Sequence, residues 1–231
     1  MTEPLPSLSV ILPVLNEAEG ILAVLQPLQS LRALGHEVIL VDGGSTDGSP
    51  VLASELVDLV LRTNPGRAVQ MRAGAERSRG DWLWFVHGDT RVSPAGVAAL
   101  LRILEDPATC WGRFDVRLSG RAWPLRVIEC LINLRSRVSG IATGDQALFL
   151  RRELYERVGG WPSLPLMEDV ALSRTLKAVA RPRCLRETVL TSSRRWERHG
   201  ILATVLLMWR LRLAFALGAD PARLARRYGE R

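Results

Sequence analysis

The 231-residue chain has little cysteine: three residues, Cys110, Cys130 and Cys184, dispersed and with no C-x-x-C pair. That odd, scattered set disfavours a disulfide framework or a zinc knuckle and fits a reducing cytoplasm. The opening stretch, MTEPLPSLSVILPVLNE, has no basic leader region and its apolar run is broken at Pro13, so it does not read as a signal peptide. The uninterrupted apolar run Ile201–Trp209 is too short to span a bilayer. No G-x-G-x-x-G follows the first apolar strand, which disfavours a Rossmann dehydrogenase. A G-x-x-x-x-G-K-[ST] loop and a G-x-S-x-G elbow are also absent, which removes a P-loop protein and a nucleophile-elbow hydrolase.

What is present is a chain 47% hydrophobic, long enough for one α/β domain with a proper core. Its net charge is +7, unevenly placed: from Arg194 onward nine arginines face Glu197, Asp220 and Glu230. Such a basic end suits nucleic acid, an anionic membrane surface, or solubility alone. The neighbouring leucines disfavour nucleic acid, which prefers a polar groove with stacking aromatics.

Apolar runs at 8–14, 36–44, 58–63 and 81–89 predict strands, and the segments between them predict helices. The helical spacing over 17–34 contains Pro27, which should kink or split it. Residues 93–106 predict a helix capped by Ser93. Alternation of this kind predicts βαβ units and a mostly parallel sheet flanked by helices. Beyond it, 111–120 predicts a strand, 123–138 a helix carrying arginines, and 167–180 a helix opening on two acids. Ligands of such sheets bind beyond the carboxyl ends of the strands. The polar clusters Asn16-Glu17, Asp42 to Asp47, and His87-Gly88-Asp89 all fall there.

PVLNE and DGGSTDGS together resemble the opening of family 2 glycosyltransferases. NPGRAVQMRAGAERSRGDWLWFVHGDT looks like the approach to that family's acidic metal motif, and GDQALFLRR, MEDVALSRTL and SSRRWERHG look like its acceptor-side motifs. The H-x-D form is most similar to a bacterial subgroup labelled arsenosugar-type, a label that says little about the acceptor. The resemblance implies a GT-A, Rossmann-like fold and an inverting transfer from a nucleotide sugar, UDP-linked by analogy, to a hydroxyl acceptor. It implies a divalent metal, manganese or magnesium.

Donor contacts are then expected from Pro13, Val14, Asn16, Glu17, Asp42, Gly43, Gly44, Asp47, Gly66, Arg67, Gln70, His87, Gly88, Asp89, Arg195 and Trp196. Glycines 43 and 44 allow close backbone approach. Gly66-Arg67 at a helix start suits an anion, though a solvated loop arginine would look the same. Asn16 and Glu17 could equally cap the following helix, and Asp42-Gly43 could be a plain turn. Asp89 inherits the metal-ligand position, with His87 and His199 as further candidates; neutral imidazole suits manganese better than magnesium. Of Glu168 and Asp169, Asp169 occupies the position of the general base, with Asp145 its rival; two acids opening a helix also simply complement its N-terminus. Arg194, Arg195 and Trp196 look like the family's arginine–tryptophan motif.

The expected organisation is one catalytic unit over 1–200, with a nucleotide-binding half at about 8–106 and an acceptor half at 107–200. Residues 201–231 are expected to form an apolar and basic C-terminal helical segment, packed on the core or lying at a membrane interface. The acceptor could be lipid-linked and the protein peripheral on the cytoplasmic membrane. Two rivals stand: a sugar-phosphate nucleotidyltransferase, which would release pyrophosphate, and a nucleotide-binding protein without catalysis, which would not hydrolyse UDP-sugars.

Overall fold

A computed structural model describes residues 6–229. The first half runs β1 (Leu8–Val14), α1 (Ile21–Leu25), α2 (Gln29–Ala33), β2 (Glu37–Asp42), α3 (Ser49–Ala53), β3 (Leu59–Arg62), α4 (Arg67–Arg77), β4 (Trp82–Phe85), β5 (Thr90–Val92) and α5 (Pro94–Leu104). The second runs β6 (Trp111–Leu118), α6 (Trp123–Ser139), β7 (Phe149–Arg151), α7 (Arg152–Arg157), α8 (Glu168–Val179), β8 (Arg183–Thr191), α9 (Arg194–His199), α10 (Ile201–Ala216) and α11 (Pro221–Gly229). Pro27 does split the first helical stretch: a tight turn through Gln26–Leu28 separates α1 from α2. Ser93 caps α5, its hydroxyl accepting the Gly96 N–H at 3.1 Å.

One eight-stranded sheet holds these elements together, in the order β3-β2-β1-β4-β7-β6-β8-β5. The expectation of a mostly parallel sheet is corrected here. β1–β2, β1–β4, β2–β3 and β6–β8 pair parallel, but β4–β7, β6–β7 and β5–β8 pair antiparallel, so the sheet is mixed. Apolar periodicity reports which residues are buried, not which way a strand runs. β7 enters between β4 and β6 in reverse, and nothing in FLR marks that direction. β8 has no counterpart among the predicted strands. A register shift between Phe114 and Asp115 leaves two β8 residues unmatched and breaks its alternation.

The C-terminal expectation also needs correction. Among the described residues, 201–229 form two helices, α10 and α11, rather than one apolar segment. Arg210 and Arg212 interrupt the apolar sequence of α10, and no helix among the described residues is long and apolar enough to cross a membrane. Leu211 and Leu224 are buried against Leu166, Met167 and Val170, so α10 and α11 pack beside the start of α8.

Both faces of the sheet are covered, which explains the continuous apolar runs. Alternate residues of β1 and β2 go to opposite sides: Val10, Leu12, Val38 and Leu40 join the layer under α5, while Ile11, Ile39 and Val41 join the layer under α4, α7 and α8. Trp82, Trp84 and Trp111 are wholly buried among them. At one edge, the Leu8 N–H donates to Nδ1 of buried His36 at 3.2 Å. That bond needs an unprotonated ring nitrogen, and burial lowers the His36 pKa below its ordinary value of 6.5. A depressed histidine stabilises the fold fully above its unfolded pKa, and that contribution is lost as pH falls through the folded one. Thermal unfolding followed from pH 7.5 to 5.5 should therefore show declining stability, with a shallower decline in His36→Gln.

Candidate functional site

The carboxyl ends of β1, β2 and β4 lie side by side, because Val14 pairs with Asp42 and Ile11 with Phe85. The chain therefore delivers its polar clusters to one edge of the sheet. Gln70 of α4 braces the parting strands, its amide donating to the carbonyls of Val14 at 2.9 Å and Val41 at 2.8 Å. Gly43 leaves room beside it, since a Cβ there would meet the Gln70 amide at a tight 3.1 Å. Gln70 is thus a brace under the site rather than a wall of it. Pro13 and Val14 have buried side chains. The Val14 carbonyl also receives the Gly43 N–H.

Asp42 is buried and turned onto its own loop, accepting the N–H groups of Gly44 at 3.1 Å and Ser45 at 2.9 Å. Asn16 and Asp47 stitch the β1 and β2 loops together. Asn16 accepts from the Thr46 N–H, and Asp47 accepts from the Ala18 N–H and the Ser49 hydroxyl. The Ser49 bond, aided by Ala18, lowers the Asp47 pKa. These residues shape the rim, as turn chemistry predicts.

Past this rim lies a cavity of about 250 Å³ lined by Glu17, Asp89, Arg91, Thr191 and Arg194 among others. Arg194 forms an ion pair with Glu17 across 177 residues of sequence. Burial raises the Glu17 pKa against the pull of Arg194, and Asp89 and Asp47 add to the rise. Gly88 allows the strand to lie close: a Cβ there would meet Val14 Cγ2 at 3.1 Å and the Pro13 carbonyl at 3.3 Å.

His87 connects this cavity to the acidic centre. Desolvation, then the nearby Arg67 charge, lowers its pKa, outweighing Asp89, Asp145 and Asp169. The ring's Nε2 edge is pressed on Gly144, where a Cβ would lie 2.6 Å from Cε1 and 2.8 Å from Nε2. The Gly144 N–H donates to Asp169 Oδ2 at 2.8 Å. Arg67 Nε meets Glu168 Oε1 at 3.0 Å. Burial raises the Glu168 pKa, opposed by Arg67 and reinforced by Asp169. Asp145 Oδ1 and Glu168 Oε2 are buried without a hydrogen-bond partner among the described residues. Among the described residues three non-glycine residues have positive φ, and all adjoin these motifs: Asn16 (56°), Ala147 (45°) and Met167 (65°). Such strain persists only where surroundings over-determine it.

Trp196 packs with Leu118, Leu125 and Ile128, and Arg195 stacks 3.5 Å over the Tyr228 ring and donates to its carbonyl. Of the arginine–tryptophan stretch, it is Arg194 that lines the Asp89 cavity. His199 ends α9 and does not line that cavity. Thr191, at the end of β8, was the cavity residue least visible in the sequence, because its strand was not.

Among the described residues no three His, Cys, Asp or Glu side chains form a cage for a cation. A hard divalent ion does not need one: it is commonly held by one or two carboxylates, with water and phosphate oxygens completing the shell. Asp89, lining an open cavity beside Glu17, fits that mode. His87, its Nε2 edge covered by Gly144, fits it less well.

The protein-family model described as glycosyl transferase family 2 matches residues 9–159. Among curated relatives, the undecaprenyl-phosphate 4-deoxy-4-formamido-L-arabinose transferase of Pseudomonas savastanoi pv. phaseolicola is 28% identical over 64% of this chain and 47% of its own length. That of Pseudomonas paraeruginosa is 31% identical over the same shares. The chain thus spans about half the length of these relatives. Among solved structures, a mannosyltransferase from Pyrobaculum calidifontis with GDP-Man and Mn2+ has a TM-score of 0.65 at 22% identity, covering 92% of this chain and 62% of that one. Glucosyl-3-phosphoglycerate synthase from Mycobacterium tuberculosis with Mg2+ and UDP has a TM-score of 0.61 at 21% identity, covering 80% and 70%. These likenesses show a shared GT-A-like fold. With the family model spanning well over half its length, the chain belongs to glycosyl transferase family 2.

Proposed function

We propose that this protein transfers a sugar from a nucleotide-sugar donor to a hydroxyl acceptor, with inversion at the anomeric carbon. The observation that carries the reading is the acidic centre. Asp169 is held by Gly144, and two buried carboxylate oxygens of the same cluster, Asp145 Oδ1 and Glu168 Oε2, have no hydrogen-bond partner among the described residues. Buried polar atoms are normally satisfied, so two orphans together suit the hydroxyls of a bound sugar or acceptor. In this reading Asp169 takes the acceptor proton. The acceptor oxygen then bonds to the anomeric carbon as the bond to the diphosphate oxygen breaks, and that electron pair leaves with the nucleotide.

The donor diphosphate is assigned to the cavity of Asp89, Glu17 and Arg194. Arg194 offers a planar, permanently charged fork for phosphate oxygens. Asp89 would hold a divalent ion, whose charge offsets the negative charge of the departing diphosphate. Manganese or magnesium and a UDP donor are supported by the UDP complexes of the Mycobacterium tuberculosis synthase, one with Mn2+ and one with Mg2+. The GDP-Man complex keeps guanosine donors in the screen. The arsenosugar-type grouping rests on the motif residues alone and does not bear on the acceptor. A lipid-linked acceptor is supported by the names of the curated relatives.

Asp89→Ala should remove any enhancement of UDP binding by Mn2+, measured by calorimetric titration with and without the ion. An unchanged metal effect would take Asp89 out of the metal role. Melting shifts with UDP, GDP and dTDP sugars identify the donor, since a true ligand raises the melting temperature by mass action.

A further inference from the structure

Beside the cavity of Glu17, Asp89 and Arg194 lies a larger recess of about 750 Å³. Arg91, Arg117, Arg121 and Arg126 line it, and no aspartate or glutamate does. The strand register builds its floor. Arg91 of β5 pairs with Leu190 of β8, and Leu190 pairs with Arg117 of β6. Cross-strand partners share a face of the sheet, so the two arginines stand on one side with Leu190 between them. Two strand spacings separate their backbones by about 10 Å.

The turn from β6 into α6 forms the far wall. Arg126 is fixed there. It donates to the carbonyls of Leu118 and Gly120, both at 2.7 Å, and pairs with Glu129 at 2.9 Å. It therefore braces the turn that carries Arg121. α6 starts just past that turn, at Trp123, and no side chain caps it. Its first N–H groups and its dipole favour negative charge at this end. Arg91, Arg117 and Arg121 are placed differently. All three are exposed, and none has an ion pair among the described residues.

Like charges gathered in a concave recess repel one another, and the field they focus draws in anions. The volume is that of a small-molecule site. Guanidinium forks match phosphate oxygens, and arginines rooted about 10 Å apart suit an anion with more than one phosphate. Asp145, Glu168 and Asp169 do not line the recess, so an anion held here lies outside the acidic centre. Arg91, Ser119 and Leu190 line both this recess and the Asp89 cavity, which makes the two neighbours.

We propose that this recess is a second anion site, which binds a diphosphate group, free or carried on a nucleoside, through Arg91, Arg117 and Arg121. The site goes beyond the transferase reading and does not depend on it.

Calorimetric titration of the full chain with inorganic pyrophosphate, without divalent metal, tests this. Pyrophosphate should bind, and more tightly than inorganic phosphate. Arg117→Gln/Arg121→Gln should weaken it about 30-fold, the upper range for loss of two exposed charge pairs. Neither residue lines the Asp89 cavity, and both side chains are exposed, so the variant should fold and keep that cavity. Arg157→Gln/Arg181→Gln removes the same charge from exposed positions elsewhere and should change little. Arg194→Gln should also change little. ADP run alongside distinguishes the sources: binding of either anion supports the site, and the tighter one tells a nucleotide from the bare diphosphate. No binding by pyrophosphate or ADP, phosphate as tight as pyrophosphate, or an unchanged Kd in Arg117→Gln/Arg121→Gln overturns the proposal. So does an equal loss in Arg157→Gln/Arg181→Gln, which would reduce the effect to net charge. Loss confined to Arg194→Gln overturns it as well, because the anion would then sit in the Asp89 cavity.

Discussion

Asp169→Asn is expected to lower transfer by about 10³-fold, within the usual range for removal of a general base. The change is nearly isosteric. An asparagine side-chain oxygen can still accept the Gly144 N–H, so the loop and helix start should keep their places. What is lost is the ability to take a proton. UDP binding, proposed for the Asp89 cavity, should stay within about twofold, because Asp169 does not line that cavity. The decisive comparison is kcat for transfer against the Kd for UDP in the same preparation. Equal turnover in wild type and variant would pass the base role to Asp145, whose Oδ1 is buried and unpartnered nearby. Melting temperature serves as the control: a large fall would mean the loop had moved and the kinetic loss was indirect.

Gly144→Ala should damage the site through space alone. A Cβ at this position would lie 2.6 Å from His87 Cε1 and 2.8 Å from Nε2, closer than real contacts allow. The imidazole is hemmed in on its own strand end, so either the ring or the Gly144 loop must shift. Overpacking of this kind costs about 1–3 kcal/mol, or several degrees of melting temperature for a chain this long. Any shift of the loop also moves the N–H that holds Asp169, and ångström-scale displacement of a catalytic group costs about 10²-fold in rate. A double-mutant cycle checks the cause. His87→Ala opens the room the new methyl needs, so the double variant should be more stable than the sum of the two changes predicts. Strict additivity would show that the two residues do not collide, and would remove the steric account of Gly144.

How much of this was legible beforehand follows from what each residue does alone. Asp42, Asp89 and Asp169 stood out because acids after apolar strands or at a helix start carry a local signature. Asp42 and Asp89 follow strands whose ends share one edge because β1, β2 and β4 run parallel, whereas Asp169 comes from the start of α8. Gln70 was counted with the donor residues, but its role as a brace depends on two carbonyls, 56 and 29 residues away. Arg194 belonged to a recognisable motif, yet only the fold shows that it, rather than Arg195 or Trp196, reaches Glu17.

From sequence alone came the α/β class, the family, the proline break between α1 and α2, and the acidic and glycine-rich clusters that make the site. These are encoded by burial periodicity, backbone preference and short motifs, all of which act within a few residues. Tertiary structure alone decided that the sheet is mixed, that β8 exists and lines the cavity, and that α10 and α11 are separate helices packed beside the start of α8. Strand direction and the partners of a charge are set by contacts between segments far apart in the chain, and a residue's immediate neighbours contain no record of them.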